Sequence, residues 1–274
     1  MLQGIDAAKW QGSINWAKVK KNFAILKITE KNNGLEPAFE RNYQGAKANG
    51  LLVGAYRYVY AKTVSAAEVE ASSIVVALKG KKLDCGIWLD MEDSSIKVLA
   101  KSTLTKIIEA EAKILKQNGY NVGIYCNRDW YLNVLEGEKL AKTYPFWIAR
   151  YPSRDTGTFN ANSTLSPEKY AVAWQYSQKG KVDGISGYVD LDVAFKSFDQ
   201  VFKNNTTSVL KYYPAYKGYG TSLVSALATV GEKDTSFANR KKIARANGIL
   251  NYEGSAAQNI KLVDLLKQGK LLKA

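Results

Sequence analysis

The sequence predicts an α/β protein: an irregular (β/α) barrel whose last strands lack helices, followed by a small α+β C-terminal domain. Three observations predict it. Short apolar runs alternate with longer helical patterns up to about residue 140. Beyond that point strand-like runs continue, but Gly, Ser and Asp loops stand where the helices were. After residue 203 a polar break precedes a tail of short helical patterns. Strands separated by helices of this length pair in parallel. The alternation alone leaves a doubly wound open sheet as the alternative to a closed barrel.

The strand candidates of the first part are Leu2–Asp6, Phe23–Thr29, Val53–Tyr60, Gly86–Glu92 and Val122–Asn127. Helical patterns lie near 38–49, 66–78 and 102–118, each followed by a glycine, Gly50, Gly80 and Gly119. Glycine just past the last turn supplies the left-handed residue that closes a helix. Ser65-Ala66-Ala67-Glu68 reads as a capping box that starts the second helix. Phe146–Tyr151, Tyr170–Ser177 and Gly187–Ala194 complete a set of eight strands.

Residues 1–196 are expected to form the barrel, 197–209 a linker around the polar run Lys203–Ser208, and 210–274 a C-terminal domain. Gly231, Gly248 and Gly269 close the three helical patterns of this last part. The third pattern opens with a second capping box, Ser255-Ala256-Ala257-Gln258, and carries Leu262, Leu265 and Leu266 on one face.

The 274 residues are 46% hydrophobic and 23% charged, an ordinary globular composition. The net charge is +14, unevenly distributed. From residue 206 onward 11 basic residues face 4 acidic ones, net +7 in 69 residues, and the first 205 carry the same net charge. Histidine is absent. This excludes Ser-His-Asp and Cys-His hydrolases, His-ligated zinc sites and imidazole proton shuttles. The two cysteines, Cys85 and Cys126, are too few for a tetrathiolate site and read as reduced core thiols. The amino terminus lacks the pattern of a signal peptide, and no apolar run is long enough to insert in a membrane.

Carboxylates are therefore the acid–base groups to look for. In Cys85-Gly86-Ile87-Trp88-Leu89-Asp90-Met91-Glu92-Asp93, strand alternation puts Trp88, Asp90 and Glu92 on one face. Two acids are thereby aimed at one space, their α-carbons about 6–7 Å apart, at the carboxyl end of a strand. Like charges that close in a partly dry cleft raise the pKa of one partner. A solvated strand end leading into an acidic turn is the plainer reading of the same residues. Asp6 ends the first strand candidate, and Asp190 and Asp192 lie on the last. In a closed barrel those two strands are neighbours, so their acids meet at one rim. Tyr56, Tyr58 and Tyr60 alternate on one strand, with Tyr125, Trp147, Trp174 and Tyr176 elsewhere. Aromatic planes beside acids suit the C–H faces of sugar rings, although a single Trp or Tyr commonly serves core packing.

Taken together, seven segments resemble one known family. They are Gly4-Ile5-Asp6 with Trp10–Trp16, Gly54–Tyr58, Trp88–Glu92, Gly123-Ile124-Tyr125, Phe146–Tyr151, Trp174-Gln175-Tyr176 and Val189–Asp192. In register over about 1–196, they resemble glycoside hydrolase family 25 lysozymes. The whole chain is similar to bacteriophage endolysins of the clostridial type, its tail resembling their wall-recognition segments.

The resemblance implies an irregular β/α barrel that cleaves the β-1,4 bond after N-acetylmuramic acid in peptidoglycan, without metal or other cofactor. Matched by position, Glu92 is the expected general acid/base, Asp90 its partner carboxylate, and Asp6 and Asp190 the other acids of the cleft. Tyr58, Tyr60, Tyr125, Trp147 and Gln175 are the expected substrate contacts. Asp192 matches a position that varies and is left out of the catalytic set. Many members carry His where this chain has Arg57, so that histidine is not needed for the reaction, while pH response or substrate contact differ. The expected partners are peptidoglycan and the anionic polymers of Gram-positive walls, which attract a basic module. Dependence on a holin follows, with residence in the host cytoplasm until lysis and at the cell wall afterwards. Nucleic acid would attract the same charge, but the sequence has no helix-turn-helix or RNA-binding signature. The rival from another class is a non-catalytic wall- or glycan-binding protein on a decayed barrel. Cleavage after N-acetylglucosamine or in chitin is a further alternative.

Overall fold

The computed structural model describes residues 1–203, 211–249 and 251–273. Eight strands close into a barrel in sequence order: β1 Leu2–Ala7, β2 Phe23–Lys27, β3 Leu52–Tyr58, β4 Ile87–Asp90, β5 Val122–Asn127, β6 Phe146–Ala149, β7 Ala173–Gly180 and β8 Val189–Ala194. Closure excludes the open doubly wound sheet.

The pairs from β1–β2 through β6–β7 are parallel, whereas β8 is antiparallel to both β7 and β1. The chain dictates this. Only residues 181–188 join β7 to β8, too few for the crossover that parallel neighbours require. The β6–β7 connection, 150–172, is long enough to cross over but contains no helix, and it completes the parallel part as a loop.

Helices α1 Phe39–Ala48, α2 Val64–Ala77 and α3 Lys101–Gln117 fill the β2–β3, β3–β4 and β4–β5 crossovers, and α4 Gly137–Leu140 is a single turn after β5. Along α3 the buried residues Leu104, Ile107, Ile108, Glu111, Ala112 and Leu115 follow the 3.6-residue period and face the barrel. Gly119 takes φ 83° just past the end of α3, a conformation open to glycine at no steric cost. One cap differs from expectation. Thr63, not Ser65, starts α2, its hydroxyl accepting from the Ala66 amide at 3.2 Å. Thr63 is extended and sits one residue before the first helical one, so Ser65 already lies inside the turn.

The main core fills the layer between barrel and helices. A second cluster fills the lower barrel, where Phe23, Trp88, Phe198 and Phe202 form a floor. Gly123 makes room for it, since a Cβ there would lie 2.4 Å from the Trp88 ring. Phe198 and Phe202 belong to α5, Phe198–Phe202, which seals the barrel beneath Trp88 at ring distances of 6.5 and 6.0 Å. The segment 197–209, expected to be a linker, therefore starts as a packed helix, because two of its residues are large aromatics with an apolar floor to cover. Residues 204–210 of that segment lie outside the described residues. Cys85 and Cys126 are both buried and free.

The C-terminal residues form α6 Leu223–Thr229, α7 Phe237–Ala246 and α8 Ala256–Lys267 around their own buried cluster, which includes Tyr213, Leu227, Ile243, Tyr252 and Leu266. Extended pairing there is confined, among the described residues, to one antiparallel bridge between Tyr212 and Leu272. Ser255 and Gln258 make the capping box expected for α8. Arg245 of α7 forms an ion pair with Glu68 of α2.

Candidate active site

The inward faces of the strands change character along the barrel. Below, aromatic and aliphatic side chains pack; above, the inward positions become polar and enclose a cleft of about 210 Å³. Its walls are Asp6, Trp10, Lys27, Tyr56, Tyr58, Asp90, Glu92, Tyr125, Trp147, Gln175 and Asp190. Asp6, Lys27, Tyr58 and Asp90 lie at or next to the carboxyl ends of β1 to β4. Asp190 comes near the start of β8, and because β8 runs antiparallel it reaches the same rim, directly opposite Asp6 in the β1–β8 register.

The strand-period argument places two acids on β4 and its extension. β4 ends at Asp90, which is buried, and Glu92 follows two residues later on the same side, half-buried. Asp90 is flanked in register by Tyr58 of β3 and Tyr125 of β5. No donor reaches its Oδ1 among the described residues. Gln175 organises the opposite wall. Its Oε1 accepts from the hydroxyls of Tyr125, at 2.7 Å, and Tyr151, which turns its amide to donate to Asp6 Oδ2 at 2.6 Å.

Crowding of acids with little water sets the protonation. Burial holds the Asp6 carboxyl well above the usual carboxylate range, and Asp190, Asp192 and Asp90 push the same way against the Gln175 hydrogen bond. Burial likewise raises Asp90, reinforced by Glu92 and opposed by Lys27. Glu92 is raised by burial and then by Asp190, with Lys27 again opposing. Asp190 is pushed up to about 6, by burial and by Asp155. Asp90 and Glu92 are both held above the ordinary carboxylate range, so the cleft gives up its protons at higher pH than solvated carboxyls would. An acid that still holds its proton beside an ionised partner is the arrangement that glycosidic bond cleavage requires.

Of the residues singled out from the sequence, Asp6, Asp90, Glu92, Asp190, Tyr58, Tyr125, Trp147 and Gln175 meet in this cleft. Tyr60 does not. β3 ends at Tyr58 and the chain leaves the barrel, so Tyr60 stacks behind Tyr58 at 4.9 Å, with Lys31 over its own ring. Trp174 and Tyr176 turn outward, against Phe159. Tyr56, one of the aromatics singled out on β3, also lines the cleft, and two of its residues were missed: Trp10 and Lys27. Lys27 shares the inward face of β2 with Phe23 and Ile25, and a lysine closing an apolar strand on that face was the available signal. Trp10, 78% exposed on a short helical turn after β1, gave no periodic signal at all. Arg57, at the position where the resemblance implied a histidine that the reaction does not need, faces away from the cleft. It is fully buried and forms an ion pair with Glu70 of α2 at 3.1 Å.

The profile of glycosyl hydrolases family 25 matches residues 5–185. The uncharacterized protein YegX of Escherichia coli K12 is 32% identical over 203 residues, covering 70% of this chain and 69% of that protein. Lysozyme M1 of Streptomyces globisporus is 31% identical over 202 residues, covering 69% of this chain and 66% of the lysozyme. Among solved structures, the CTP1L endolysin superposes with a TM-score of 0.57 at 25% identity, over 74% of this chain and 70% of the endolysin. With the family's profile spanning most of the barrel and its cleft, the chain belongs to glycosyl hydrolases family 25.

Proposed function

We propose that the protein is a phage endolysin that hydrolyses the β-1,4 bond between N-acetylmuramic acid and N-acetylglucosamine in Gram-positive peptidoglycan. The observation that carries this reading is the meeting of four carboxyl groups, Asp6, Asp90, Glu92 and Asp190, with aromatic walls in one cleft. Membership of a glycosidase family and likeness to a lysozyme and an endolysin support it.

In this reading Glu92 is the acid/base. It is the less enclosed member of its pair and lines the cleft. Its proton passes to the glycosidic oxygen as the bond to the anomeric carbon breaks, and the resulting carboxylate then takes a proton from the incoming water. Asp90 either attacks the anomeric carbon or orients the sugar's 2-acetamido group to do so. Asp6 and Asp190 position the sugar and, by their negative field, favour the protonated form of Glu92. Tyr58, Tyr125, Trp147 and Gln175 supply stacking and hydrogen bonds to the substrate.

Mass spectrometry of digested walls tests the bond cut. Borohydride-reduced fragments are expected to end in reduced muramic acid. Fragments ending in reduced glucosamine would replace this reading with a glucosaminidase, and an intact wall would favour a non-catalytic binding protein.

The C-terminal part, residues 210–274, is proposed to hold the enzyme on the wall, its excess of basic residues drawn to anionic wall polymers. Retention on an insoluble substrate raises the effective concentration of cleft and bond. A fluorescent fusion of residues 206–274 is expected to decorate Gram-positive cells and to be released by salt. Failure to decorate them would remove the wall-binding role. No helix among the described residues is long and apolar enough to cross a membrane. As part of the endolysin reading, access to the wall is assigned to a holin, with the enzyme held in the host cytoplasm until lysis.

A further inference from the structure

Beneath the cleft lies a carboxyl group that the proposed reaction does not use. Asp192, on β8, is completely buried. Its Oδ1 accepts the indole N–H of Trp147 at 3.0 Å. Among the described residues no N–H or O–H reaches its Oδ2. A buried carboxylate oxygen left without a donor is costly, and such groups are rarely found unsatisfied.

The neighbour within reach of Asp192 is Asp6. Asp192 pairs with Gly4 across the β1–β8 seam, and Asp6 lies two residues further along the same inward face. Gly4 contributes no side chain between them. That register sets the two carboxyl groups beside each other in the barrel interior. Asp6 is satisfied on its other side by Gln175, whose amide is fixed by two tyrosine hydroxyls. One group can supply a donor to Asp192 Oδ2, a proton carried on the pair itself.

We propose that Asp192 is a positioning residue: with Asp6 it forms a buried carboxyl pair carrying one shared proton, and this pair fixes both Asp6 and the Trp147 indole at the wall of the cleft. The surroundings agree from every side. Asp190 on β8 and Asp90 on β4 add negative charge, and Lys21 on the β1–β2 connection is the facing cation. Gln175 on β7 and Trp147 on β6 are neutral donors, and Tyr56, Tyr125 and Tyr151 present un-ionised hydroxyls. Two full charges on the pair would therefore stand among further acids, with Lys21 facing Asp192 and Lys27 on β2 at the cleft as the cations at hand. Burial and then Asp190 raise Asp192, against the Trp147 and Asp6 hydrogen bonds and Lys21, and burial, Asp190 and Asp192 raise Asp6. Two carboxylates sharing a site take up the second charge only far above the first.

The test is a carbon-13 titration of the aspartate carboxyl groups in the full chain, with Asp192→Asn as the comparison. In the parent protein Asp6 and Asp192 are expected to titrate together in two steps about 3 pH units apart, as acid pairs do. Asparagine keeps the bond from Trp147 and donates to Asp6, so in Asp192→Asn a single step remains and Asp6 titrates at least about 1 unit below the upper step. On wall lysis, Asp192→Ala is expected to cost about 10- to 100-fold through misplacement of cleft groups, and Asp192→Asn to recover most of that loss.

An Asp6 titration that has one step and is unchanged by Asp192→Asn would overturn the pair. Wild-type lysis by a folded Asp192→Ala protein would overturn the positioning role. Only the lysis arm rests on the proposed muramidase activity. Two-step titration in a protein that cuts no wall would refute that activity and leave the pair standing.

Discussion

Glu92→Gln is expected to lower the rate of wall lysis by at least about 100-fold, the scale of a lost general acid/base. The substitution keeps the shape of the side chain and one acceptor oxygen but removes the transferable proton. Its effect on stability has the opposite sign. Burial and Asp190 raise the Glu92 carboxyl above its ordinary value, so the folded state binds that proton more tightly than the unfolded chain. Such a group favours the folded state below its unfolded pKa, and that advantage fades as pH rises through the raised folded one. At neutral pH the glutamine variant is spared this loss, and its melting temperature is expected to equal or exceed that of the parent. Lysis and melting measured side by side separate the two effects. Residual activity above a few per cent would remove Glu92 from the acid/base role, and a lowered melting temperature would trace the lost activity to damage of the fold.

The second large effect concerns stability. Arg57→Met is expected to destabilise the barrel by about 3–5 kcal/mol, the usual consequence of removing one partner of a buried ion pair. Arg57 has no exposed surface, and its partner Glu70 is buried against it at 3.1 Å. The same guanidinium donates to the Thr29 hydroxyl at 3.0 Å, the Glu30 carbonyl at 2.5 Å and Asn33 Oδ1 at 2.8 Å. It therefore ties the β2–α1 loop to β3 and α2. Methionine fills much of the volume but strands Glu70 without its cation and frees the loop. For a chain of this size the loss corresponds to a fall in melting temperature on the order of 6–20 °C. The double variant Arg57→Met, Glu70→Met removes both charges and is expected to recover part of the loss. A single variant that melts within a degree or two of the parent would show that the pair contributes nothing.

Arg57 also illustrates what a sequence hides. The histidine that many family members carry at its position made a difference in pH response or substrate contact the expectation. Alternation along β3 turns it the other way, into the layer under α2, where Glu70 waits. Glu70 lies 13 residues downstream on another element, and no local pattern links the two. Asp192 is a similar case. It shares the inward face of β8 with Asp190, yet two residues along a strand move it from the rim into the closed interior, from a half-buried to a fully buried site.

Other parts were legible because they depend on short-range regularities. The inward direction of Asp90 and Glu92 follows from the period of a strand, and the helix ends before Gly50 and Gly119 follow from the positive φ that glycine adopts there, whereas α2 ends at Ala77 and Gly80 belongs to the turn beyond. Eight strand segments, their order and the loss of helices after residue 140 follow from hydrophobic spacing and turn composition. Tertiary structure alone decided the rest. The antiparallel return of β8 closed the barrel and set Asp190 against Asp6 across 184 residues of chain. It also brought Lys27, Tyr56 and Trp10 into the cleft and drew α5 beneath the floor as a plug. Local sequence determines which way a side chain points from its own strand. What it points at depends on non-local pairing and burial, which exist only once the whole barrel has closed.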